Sequence, residues 1–126
     1  MHELGLLRGV VRAVERAAGG ANATQVQVVG LLVGSQCGAV PFALKGAWPI
    51  ATAGTLLDGA SLEIEEVQAA IWCPNCQAER EIDEFYALTC PVCGTPSGEL
   101  VRGREFEVTF AELPDPDVAS QPTTDQ

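Results

Sequence analysis

The sequence is short of positive charge. Its 126 residues carry 7 Lys and Arg against 17 Asp and Glu, a formal net charge of -10. Phosphate backbones bind basic surfaces through counterion release, so this balance argues against a nucleic-acid partner. It argues equally against an anionic membrane surface. No run approaches the roughly 20 apolar residues that span a bilayer. The first residues, MHELGLLRGVVRAVER, lack a leading basic cluster and a small-residue cleavage site, so they read as mature structure and not as a signal peptide. The expected compartment is therefore the cytoplasm, where thiols stay reduced. There is a single histidine, and no Ser-His-Asp set, P-loop or dinucleotide fingerprint appears, so the chain is expected not to be an enzyme.

What the chain does have is cysteine. Cys37, Cys73, Cys76, Cys90 and Cys93 are odd in number and unevenly spread, a poor disulfide framework. Four of them form the pairs Cys73-Pro-Asn-Cys76 and Cys90-Pro-Val-Cys93-Gly94, thirteen residues apart. Two cysteines at this spacing point at one centre when the chain turns tightly between them. Pro74 and Pro91 preset that turn, and Gly94 opens a backbone conformation closed to most residues. Two such knuckles supply four thiolates, which suits tetrahedral zinc. The linking segment is long enough for a hairpin, with Glu81-Ile82 and Phe85-Tyr86-Ala87-Leu88 as its strands.

Size favours a metal. A module this short lies below the roughly 40 residues at which an apolar core usually suffices alone. Structural zinc contributes about 10 to 16 kcal/mol of apparent binding energy in small peptides. Burial of Trp72, Ile82, Phe85 and Leu88 adds only about 1.5 to 3 kcal/mol each. Four thiolates close the coordination shell, so the site reads as structural. A rubredoxin-like iron centre and a pair of redox dithiols use the same knuckles and remain the alternatives. Cys37 stands alone and reads as a small, partly buried loop residue.

The rest of the chain reads as α+β, a small sheet of about three strands packed with two helices. Leu4, Leu7, Val11, Val14 and Ala18 share one face of a helix over 4–18, with Arg8, Arg12, Glu15 and Arg16 largely elsewhere. Gly19-Gly20 ends it, and Asn22 continues the turn. A strand follows at 25–33. Pro41 opens a second helix with a broad apolar surface of Phe42, Leu44, Ala47, Trp48 and Ala51, which Pro49 should kink or shorten. Strands are predicted at 61–69 and 104–112. The glutamates of the last one, Glu105 and Glu107, read as a solvated face, with an acidic docking surface as the other reading. Domain boundaries are expected at 1–70 with 104–113 for the α/β body, 71–103 for the cysteine module and 114–126 for a disordered acidic tail.

His2 gains interest from its position. A bulky second residue tends to protect Met1 from removal, which keeps a free amine beside the imidazole. That amine, the imidazole and the intervening amide nitrogens can chelate one ion through short rings, and planar nitrogen ligands suit Ni(II) or Cu(II).

Met1-His2-Glu3-Leu4 followed by CPNC and CPVCG resembles the HypA/HybF family of hydrogenase nickel-incorporation proteins. VQVVGLLVG, Pro41, Gly54-Thr55-Leu56 with Asp58-Gly59-Ala60, and Gly103-Arg104-Glu105-Phe106 extend the likeness over about 1–112. The resemblance implies a nickel metallochaperone, an α/β nickel-binding body with a zinc-ribbon-like module inserted between its strands. It implies Ni(II) as transported cargo, bound by Met1, His2 and Glu3 with main-chain nitrogens, the Glu3 side chain orienting or ligating. It implies structural Zn(II) on Cys73, Cys76, Cys90 and Cys93. The implied partners are the nickel-handling GTPase HypB and the hydrogenase large subunit, with urease served by some members. Cys37, Phe42 and Trp48-Pro49 depart from the family pattern, and no histidine flanks the cysteines. The alternatives to this reading are a zinc-ribbon protein-interaction module without a nickel role and a rubredoxin-like iron electron carrier.

Overall fold

In a computed structural model the chain is described over residues 2–83 and 88–114. The predicted strand 85–88 falls mostly outside these residues, as do Met1 and the tail from residue 115. Two helices and six strands follow in the order α1 (His2–Gly20), β1 (Val28–Gly34), α2 (Pro41–Thr52), β2 (Ser61–Val67), β3 (Ala70–Cys73), β4 (Ala78–Glu81), β5 (Leu100–Arg102) and β6 (Phe106–Glu112). They form two three-stranded sheets, ordered β2-β1-β6 and β4-β3-β5. Among the described residues, no helix is long and apolar enough to cross a membrane.

The chain divides into two compact units. One comprises residues 2–30, 42–63 and 108–114; the other, 31–41 and 64–107. In the first, α1 buries Leu7, Val10, Val11, Val14 and Ala18, the predicted stripe with Val10 added and Leu4 only half-buried. The helix outruns its expected ends. Gly20 is still helical, and the residue that stops it is Asn22, in the left-handed region at φ 59, with the Ala23 N–H returning to the Ala18 carbonyl at 2.9 Å. Glu15, placed by the sequence largely off the apolar face, accepts the Leu56 N–H at 3.1 Å.

α2 buries Leu44, Trp48, Ala51 and Thr52. Phe42 does not belong to that face and is 89% exposed. Two residues of helix turn the chain by about 200°, so Phe42 lies opposite Leu44. Nor does Pro49 end the helix: it runs on to Thr52. Only one further turn follows the proline, and the Thr52 hydroxyl bonds the Trp48 carbonyl there at 2.9 Å. Trp48 is fixed by its indole N–H, which donates to the Ala60 carbonyl at 2.8 Å.

In the second unit the predicted strand 61–69 breaks after Val67. The Ala69 N–H is taken by the Ser35 hydroxyl at 3.0 Å, and the Gln68 amide donates to the Ile82 carbonyl. The chain then restarts as β3. Gly103, at φ 128, passes so near Ala69 that a Cβ would lie 2.7 Å from the Ala69 Cα, which leaves glycine as the residue that fits.

The described residues place a hairpin at the first knuckle, and the one expected from 81–82 and 85–88 lies mostly outside them. β3 pairs antiparallel with β4, Cys73 opposite Ala78 and Ile71 opposite Arg80, so the first knuckle is itself the hairpin turn. β5 pairs with the other edge of β3. A C-x-x-C turn reverses the chain, and strands flank it at no extra cost in loop closure.

Candidate metal centre

β3 delivers Cys73 at its last residue. The Gln77 N–H returns to the Cys73 carbonyl at 2.8 Å, and the Cys76 N–H points at the Cys73 sulfur, 3.3 Å away. Gln77 takes the left-handed conformation that closes the turn, at φ 57. The second knuckle repeats this design. The Gly94 N–H bonds the Cys90 carbonyl at 2.9 Å, and Gly94 supplies the positive φ of 78. The loop beyond is tied back by the Cys90 N–H to the Thr95 carbonyl at 3.0 Å and by the Ser97 hydroxyl to the Trp72 carbonyl at 2.6 Å.

The two knuckles bring four sulfurs together, all within 4.8 Å of one another. Cys73 and Cys93 are 3.5 Å apart, and Cys76 and Cys90 are 4.0 Å apart. A zinc–sulfur bond of about 2.3 Å gives a tetrahedron edge of roughly 3.8 Å, so these spacings fit a divalent ion and are too long for a disulfide. Cys73 and Cys90 are buried, Cys76 is half-buried and Cys93 is exposed. Among the described residues this is the one cluster of His, Cys, Asp and Glu close enough to hold an ion.

The sulfurs differ in character. The Thr95 hydroxyl, with Oγ1 at 3.1 Å, holds Cys93 down to about 5, helped by the Thr95 backbone and Asn75. At Cys76 the Arg80 guanidinium favours the thiolate, but Cys93, burial and the other two sulfurs outweigh it and push the thiol up to about 11. Cys90 is lowered: burial opposes ionisation, and the backbone N–H groups of Cys93 and Val92 overcome it. Arg80 in turn is held more firmly protonated by its hydrogen bond to Cys76. Sequence reasoning found the four cysteines and missed Arg80, Thr95 and Asn75. The available signal was that Arg80 is the sole cation between the knuckles.

Cys37 stays apart from this cluster. It is half-buried in its loop, and its sulfur accepts the Ala39 N–H at 3.4 Å. His2 is the first residue of α1 and is exposed, with Glu3 half-buried beside it in the first turn. Met1 lies outside the described residues.

Residues 1–113 match the family model described as "Hydrogenase/urease nickel incorporation, metallochaperone, hypA". Hydrogenase maturation factor HypA of Chloroflexus aurantiacus is 39% identical over 114 residues, covering 90% of this chain and 100% of the relative. That of Moorella thermoacetica is 35% identical over 112 residues, covering 89% and 98%. The fold resembles the solution structure of the Ni metallochaperone HypA from Helicobacter pylori, with a TM-score of 0.61 at 15% identity over 88% of this chain and 96% of that one.

Proposed function

The chain belongs to the HypA family of hydrogenase and urease nickel-incorporation metallochaperones, and from that premise we propose that it carries Ni(II) on its first three residues. The match over residues 1–113 is the observation that carries this reading. The arrangement at the N-terminus supports it. The opening N–H groups of any helix lack carbonyl partners within it, so the amides of His2 and Glu3 are available to an ion without breaking α1. His2 is exposed, as a donor that must release its cargo to a partner should be. Met1 contributes its amine, His2 its imidazole, and Glu3 its amide and a carboxylate that orients or ligates.

The four cysteines hold Zn(II) as a structural ion. Its fit rests on four soft donors at tetrahedral spacing, and the ion supplies the cross-link that the short module needs. Nickel handling belongs to residues 1–70 with 104–113, and zinc to 71–103. The recipient is the hydrogenase large subunit or a urease, and a GTPase of the HypB type is the coupled partner, all in the cytoplasm.

Calorimetric titration of the untagged chain with nickel tests the reading. One Ni(II) per chain is expected, lost in His2→Ala and in protein whose terminal amine is acetylated. Unchanged stoichiometry and affinity in His2→Ala sink the terminal site. Metal analysis should give one zinc per chain in a colourless sample; a red protein containing iron favours the electron-carrier reading instead.

A further inference from the structure

The cysteine module has a cation on its inner face. Ile71 is opposite Arg80 and Cys73 opposite Ala78, and the Ile82 N–H bonds the Ala69 carbonyl. Directly opposed residues share a sheet face, and so do alternate residues of a strand. Arg80 therefore lies on the face of Ala69, Ile71, Cys73 and Ile82, the buried cluster that Cys90 completes. Arg80 is half-buried, and its Nε is buried without a hydrogen-bond partner. Two neighbouring carboxylates are turned away from it. Glu79 and Glu81 project from the opposite face, where Arg102 takes them at 2.7 and 3.6 Å. The shared face turns Arg80 toward the cysteine cluster, and Cys76, then Cys90, hold its guanidinium more firmly protonated.

A guanidinium on an apolar face is costly unless a negative partner offsets it. Four thiolates around one divalent ion leave a surplus of two negative charges, which the ligand shell cannot cancel. We propose that Arg80 is the counter-ion of the four-cysteine metal centre, a positioning residue that neutralises part of this surplus and slows loss of the metal. An N–H···S bond withdraws electron density from sulfur, so Cys76 and Cys90 become poorer nucleophiles toward electrophiles that would strip the ion.

This inference rests on the reading of the cysteines as a metal site, and the test separates the two. Zinc content is measured first, on the intact wild-type chain and on Arg80→Met and Arg80→Lys. Iodoacetamide is then added and released zinc followed with a chromogenic chelator; each alkylation forms an S–C bond, expels iodide and breaks a metal–sulfur bond. Charge-assisted hydrogen bonds are the strong ones, so release should quicken about tenfold in Arg80→Met, with Cys76 alkylated earlier in the order. Arg80→Lys, which keeps the charge, should stay near the wild type. In cobalt-substituted protein the sulfur-to-metal charge-transfer band should move to lower energy in Arg80→Met. Wild-type rates and an unmoved band in Arg80→Met overturn the counter-ion role. Equal quickening in Arg80→Lys and Arg80→Met also overturns it, since shape rather than charge would then be at stake. A wild-type chain without metal overturns the metal site itself, and Arg80 with it.

Discussion

At the scale of single residues, the four sulfurs are not equivalent, and this sets how metal binding responds to pH. Without an ion Cys93 ionises at about 5 and Cys76 only at about 11. Between those values Cys93 is a thiolate and Cys76 still a thiol. Metal entry must expel the Cys76 proton, so affinity falls as pH is lowered, by about tenfold per pH unit for each proton displaced. Below about 5 the fall steepens, because Cys93 has then also taken up a proton. Competition against a zinc chelator at several pH values checks this; an affinity that stays level from pH 8 to 6 excludes it. The cysteines were legible in the sequence because spacing alone brings a knuckle's two sulfurs together. Arg80, Glu15 and Thr95 were not. A charge's partner depends on strand register or on a contact distant in sequence, such as Glu15 with Leu56, and neither leaves a local pattern.

At the scale of elements, periodicity read α1 well, since a long amphipathic helix announces its buried face. The shorter α2 was read less well. Seven apolar residues in twelve do not say which face is inward, and the structure puts Phe42 outside and Thr52 inside. The β3–β4 hairpin was not foreseen, because its turn is made of the cysteine knuckle rather than of a familiar turn sequence. Trp48 is where α2 is anchored within its unit. Trp48→Phe keeps a ring but strands the buried Ala60 carbonyl that the indole now satisfies at 2.8 Å. An unmet buried acceptor costs about 1 to 3 kcal/mol. Urea unfolding should show a lower midpoint with an unchanged slope; an unchanged midpoint means that the bond contributes nothing.

At the scale of the whole molecule, apolar burial is unequally shared. Leu7, Val10, Val11, Val14, Val26, Val29, Leu44, Trp48 and Leu57 are all buried, and all belong to the unit containing α1 and α2. The cysteine cluster has Ala69, Ile71 and Ile82, with Leu88 and Leu100 only partly buried against it. At about 1.5 to 3 kcal/mol for each large side chain fully buried, the first set sustains its own fold. The second does not offset the chain entropy of its loops, of about 1 to 2 kcal/mol per ordered residue. The two metals should therefore have different consequences for structure. On the proposed reading nickel sits at the end of a helix that its own apolar stripe already holds, so loading it should protect only the first amides. On the same reading zinc is the cross-link around which β3, β4 and β5 form. Hydrogen exchange followed by mass spectrometry distinguishes these roles. After zinc is stripped by acid and chelator and the protein is returned to neutral pH, amides of 70–81 and 100–102 should exchange freely, while those of the middle of α1 keep their protection. Readdition of zinc should restore the protection of β3–β5, and nickel should not. If α1 loses protection together with the cysteine module, stability is not divided as the burial implies. If β3–β5 stay protected without metal, the apolar cluster is sufficient and the ion is not what holds these strands.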